Sequence, residues 1–95
     1  MKTNLLINNK SVQGNADAFD VINPFNSEII ASIAQSSTDQ VNEAVSSAKH
    51  AFPKWSRTSP GERSGLLLKL ADEIEKNAEE IAKLESLNTG KPYHL

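Results

Sequence analysis

The chain has 95 residues, 38% apolar and 23% charged, with a net charge of −2. That suits one small domain, or a piece of a larger one, with a limited core. Interspersed charges disfavour nucleic acid or an anionic membrane as partner, no apolar run is long enough for a membrane helix, and the lack of cysteine removes any disulfide, thiolate metal site or thiol nucleophile.

The start, Met1 to Asn8, has one positive charge and three consecutive apolar residues, too few for a secretory segment. Together with the missing cysteines this favours a cytoplasmic protein. Residues 4–36 then carry short β-like runs between turn residues. Leu5-Leu6-Ile7, the turn signal Asn8-Asn9-Lys10 and Val12 predict a short hairpin over 4–13. Phe19–Asn23 reads as a strand ended by Pro24, which pushes Asn23 toward an extended conformation. Glu28–Ala34 reads as its antiparallel partner, across a turn at Asn23-Pro24-Phe25-Asn26-Ser27.

Residues 37–89 are helical in pattern. Ser37-Thr38-Asp39-Gln40 fits a capping box, and Val41, Ala44, Val45, Ala48 and Phe52 make one apolar stripe. Pro53 is expected to end that helix near Phe52. Ser59-Pro60-Gly61-Glu62 is a second capping box with proline at the first helical position. Leu66, Leu67, Leu70, Ala71 and Ile74 follow on one side. Asn77-Ala78-Glu79-Glu80 repeats the cap logic, so a third helix is expected to break the 60–88 stretch there, with Ile81, Leu84 and Leu87 facing inward. Gly90 stands where a left-handed residue ends a helix, and Pro92 blocks continuation. The whole chain, 1–95, therefore reads as one α+β unit: β-hairpins over 4–36, then two to three helices over 37–89.

Few residues suggest chemistry. His50 has no partner at a metal-ligand spacing and reads as a solvated histidine near a helix C-terminus. His94, near the chain end, is expected to fray. The glutamates at 73, 75, 79, 80 and 85 alternate with Lys69, Lys76 and Lys83, so they read as a solvated face with pairs such as Glu79–Lys83. Trp55 with Phe52 reads as a packing anchor at a helix corner. Thr89-Gly90-Lys91 lacks the upstream glycine of a phosphate loop, and no glycine pattern supports a dinucleotide turn.

In order and spacing these residues resemble the opening of the aldehyde dehydrogenase superfamily. Leu6-Ile7-Asn8 is similar to its first strand, and Val21-Ile22-Asn23-Pro24 with Ile29-Ile30-Ala31 to its second hairpin. Val41, Ala44-Val45, Ala48, Ala51-Phe52 and Trp55 resemble its first long helix. Pro60, Glu62-Arg63, Leu67, Leu70-Ala71 and Ile74 resemble the second, and Leu84-Glu85 with Thr89-Gly90-Lys91-Pro92 the stretch after it. The texture is most similar to the aminobutyraldehyde and betaine-aldehyde dehydrogenase branch.

The resemblance implies the outer edge of a nucleotide-binding domain in an enzyme oxidising aldehydes to carboxylic acids with NAD(P)+. The family's cysteine nucleophile, general-base glutamate and nucleotide-binding segments lie downstream of Thr-Gly-Lys-Pro. No catalytic or cofactor-binding residue therefore maps onto this chain, which is expected to be inactive alone. Its implied partners are the remainder of a dehydrogenase chain or a second copy. Part of the family holds a structural K+ or Na+ ion, and the matching positions are Val21, Ile22 and Asn88, with Asn88 replacing a carboxylate. The alternative for Asn88 is a cap on the last helical turn. The alternative for the chain is a free-standing interaction module, its open strand edge and uncovered helix stripes favouring association.

Overall fold

The computed structural model describes residues 2–92; His94 lies outside them. The elements are β1 (Leu5–Ile7), β2 (Lys10–Val12), β3 (Ala18–Ile22), β4 (Ile29–Ala34), α1 (Thr38–Ser56), α2 (Pro60–Lys76) and α3 (Ala78–Thr89). The strands pair as two separate antiparallel hairpins, β1–β2 and β3–β4, and the helices follow. This is the expected α+β order.

The first hairpin closes through Asn8 and Asn9, both left-handed with φ of 51° and 60°. Two such residues make the turn whose twist matches the flanking strands, and asparagine tolerates the conformation. Leu5 pairs with Val12 and Ile7 with Lys10. Alternation then points Ile7 inward and leaves Leu6 exposed.

In the second hairpin Phe19 pairs with Ile33 and Val21 with Ala31. The register then slips: Ile22 pairs with Ile29, so Ile30 is the extra residue of a bulge. Asn23, expected as the last strand residue, stands just beyond β3 and organises the turn. Its side-chain Oδ1 accepts from Phe25 N–H at 2.9 Å, its carbonyl from Ser27 N–H at 2.8 Å, and its N–H donates to Glu28 at 2.8 Å.

Both halves of the Ser37–Gln40 capping box form. Pro53, however, does not end α1, which runs on to Ser56. Proline removes only its own N–H bond and crowds one earlier carbonyl. The last turn closes behind it: Arg57 N–H bonds to Lys54 O at 3.2 Å, and the Ser56 hydroxyl to Pro53 O at 2.9 Å. In α2 the Ser59 hydroxyl accepts from Glu62 N–H at 3.1 Å, but the Glu62 side chain makes no return bond. Asn77 does separate α2 from α3, by a different device from that expected. Its side chain does not cap α3; it donates back to Glu73 O at 2.8 Å, closing the end of α2. Gly90 ends α3 at φ 74°, its N–H bonded to Ser86 O at 2.9 Å.

Packing within the described residues is sparse. Ile7 is the buried apolar side chain among them, joined by two buried polar ones, Asn23 and Gln40. α1 rests on β1, and α2 on α3. The exposed surface is 7937 Å², whereas a compact protein of 10.4 kDa exposes about 5,400 Å². The radius of gyration is 17.0 Å, against about 12 Å for a compact chain of this length. The molecule is a slab of 48 × 37 × 15 Å, roughly one layer of elements thick.

The apolar stripes of α1 and α2 are open to water. Val45 is 57% and Phe52 65% exposed. The face of α1 that carries the buried Gln40 also carries the half-buried Ser47 and, at the edge of the stripe, the half-buried Ala44. Trp55, read as a packing anchor, is likewise 46% exposed. On α3, Leu84 is half-buried beside Ala82 and Ser86, while Ile81 and Leu87 stay exposed.

Candidate functional site

Two places in the fold bring sequence-distant residues together. The first is a knot around Gln40. Its Oε1 accepts from Ser37 N–H at 3.0 Å and from Asn15 N–H at 2.8 Å. Its Nε2 donates to Gln13 O at 2.8 Å. The same side chain thus caps α1 and ties down the connection between the hairpins. That connection is also threaded closely past β4: Ala16 N–H bonds to Gln35 O at 2.9 Å, and Gln35 N–H to Asp17 O at 3.1 Å. A Cβ on Gly14 would lie 2.3 Å from the carbonyl oxygens of Ala34 and Gln35, so only glycine permits that approach. Sequence reasoning found the cap and missed the tie. The available signal was the amide itself: glutamine carries a donor as well as an acceptor, whereas glutamate, the other usual residue there, carries acceptors only.

The second place is the corner where the Asn23–Ser27 turn meets the end of α3. A Cβ on Gly90 would lie 3.1 Å from Pro24 Cγ. The cleft there is lined by Asn23, Phe25, Ser86, Gly90, Lys91 and Pro92, with Leu87 beside them. The Ser86 hydroxyl bonds to Lys91 O at 2.6 Å and the Thr89 hydroxyl to Glu85 O at 2.7 Å. Val21 and Ile22 lie at the end of β3 leading into this turn, and Asn88 lies in the last turn of α3. None of the three lines the cleft. Asn88 is exposed and takes no part in capping α3, which is done by Gly90, Ser86 and Thr89.

The other candidates remain surface features. His50 borders a shallow cleft with Asn8, Glu43 and Ser46, and no trio of His, Asp or Glu among the described residues is placed to hold a metal. Glu79 pairs with Lys83 at 3.4 Å, as expected, with both side chains mostly in water. Thr89-Gly90-Lys91 closes a helix, while a phosphate loop opens one, so its amides point the wrong way for that chemistry. The N-termini of α1 and α2 are taken by the hydroxyls of Ser37 and Ser59. Among the described residues no helix is long and apolar enough to cross a membrane.

Comparison with known proteins places this geometry. Residues 11–95 match the model of the aldehyde dehydrogenase family. The 5-carboxymethyl-2-hydroxymuconate semialdehyde dehydrogenase of Escherichia coli is 43% identical over 93 residues, which is 98% of this chain and 20% of that protein. The (Z)-2-((N-methylformamido)methylene)-5-hydroxybutyrolactone dehydrogenase of Acinetobacter baylyi is 47% identical over 92% of the chain and 18% of its own length. Among solved structures, PnpE in complex with nicotinamide adenine dinucleotide superposes with a TM-score of 0.91 and 46% identity, over 98% of this chain and 19% of that one. A betaine aldehyde dehydrogenase from Staphylococcus aureus superposes with a TM-score of 0.89 at 29% identity, over 98% of this chain and 20% of that one. The chain spans about a fifth of the length of the relatives it matches.

Proposed function

The chain belongs to the aldehyde dehydrogenase family, and from that premise we propose that it serves as the opening edge of an enzyme that oxidises an aldehyde to a carboxylic acid with NAD(P)+, in the cytoplasm. The observation that carries this reading is a fit over 98% of the chain, at a TM-score of 0.91, to a dehydrogenase structure holding nicotinamide adenine dinucleotide. The open apolar faces agree with it. In the family fold the other four fifths of the polypeptide would supply the layer that this slab lacks.

No contact with the cofactor is assigned to the residues present. The helix N-termini of α1 and α2 are closed by their own caps, and Gly90 is used to end a helix. No step of the oxidation is therefore assigned to this chain. Its part is architectural: the Gln40 knot and the Asn23–Gly90 corner hold two hairpins and three helices in one sheet-like layer.

A K+ or Na+ ion at the corner is a further part of the proposal. The carbonyls of Val21 and Ile22 and the amide oxygen of Asn88 are the hard donors such an ion takes. Three neutral oxygens fall short of six, so water or chain from elsewhere would complete the shell.

A chimera tests the main reading. This chain would replace the matching fifth of the Escherichia coli relative, and NADH formation from aldehydes would be followed. The expected outcome is turnover by the chimera and none by the 95-residue chain. A chimera that melts as cooperatively as the parent yet never forms NADH would refute it.

A further inference from the structure

No further inference is drawn: the strongest candidate, the cleft at the start of α3 where Lys2, Lys76 and Lys83 stand beside a helix N-terminus without a side-chain cap, rests on surface lysines and a helix N-terminus, with no second observation in the structure that points to a ligand.

Discussion

Replacing Gln40 with alanine removes three hydrogen bonds at one stroke. The side chain is 7% exposed, so water reaches it poorly. Two backbone N–H groups, of Ser37 and Asn15, and one carbonyl, of Gln13, lose their partner together. A net hydrogen bond contributes about 1 kcal/mol, which gives about 3 kcal/mol for the set. Asn15 and Gln13 sit in an exposed connection and recover part of this from solvent, so the expected loss is about 2 kcal/mol. Ser37→Ala is the natural comparison: it removes the single 3.2 Å bond from Gln40 N–H and should cost about 1 kcal/mol. Urea unfolding gives both values, and amide exchange localises them. In Gln40→Ala the amide of Asn15 should lose protection along with that of Ser37. In Ser37→Ala the amide of Asn15 should keep it. If Gln40→Ala costs no more than Ser37→Ala, and Asn15 remains protected, the residue is an ordinary cap and the tie between the hairpins and α1 is not energetic.

The glycines should respond in opposite directions, measured by the same unfolding midpoint. Gly65→Ala should stabilise by about 0.5–1 kcal/mol, because a Cβ there meets nothing within 4 Å and the position is helical. Gly90→Ala should cost about 1 kcal/mol for its left-handed backbone, and Gly14→Ala more than that, because its Cβ would collide with two backbone oxygens. Equal effects at positions 65 and 14 would contradict the close approach. Pro53→Ala should stabilise α1 by about 1 kcal/mol, less than an interior proline costs because the site is near the helix end. It restores an N–H aimed at Lys49 O, and exchange at residue 53 reads whether that bond forms.

What the sequence determined by itself is local. Asn8-Asn9 dictates a tight left-handed turn whatever lies around it. Ser37 with Gln40, Ser59 with Pro60, and Gly90 with Pro92 mark helix ends through bonds made within a few residues. The order and spacing of these signals were enough to indicate the family, although the chain holds about a fifth of its length. Two local readings failed because a neighbour made a better bond. Asn77 closes the helix behind it, not the one ahead, and α1 passes Pro53 because the following turn supplies its own partners.

What only the tertiary structure decided is which faces meet. Periodicity showed that Val41, Val45 and Phe52 share a stripe, but a stripe carries no address. The first hairpin and the connection after it take the adjacent face of α1, which carries Gln40, and leave Val41, Val45 and Phe52 in water. Likewise nothing near Gly14 in sequence announces Ala34 and Gln35, and nothing near Pro24 announces Gly90. Such contacts join residues 20 or more positions apart. They depend on where whole elements come to rest, which the chain fixes through the sum of its packing and not through any short run of residues.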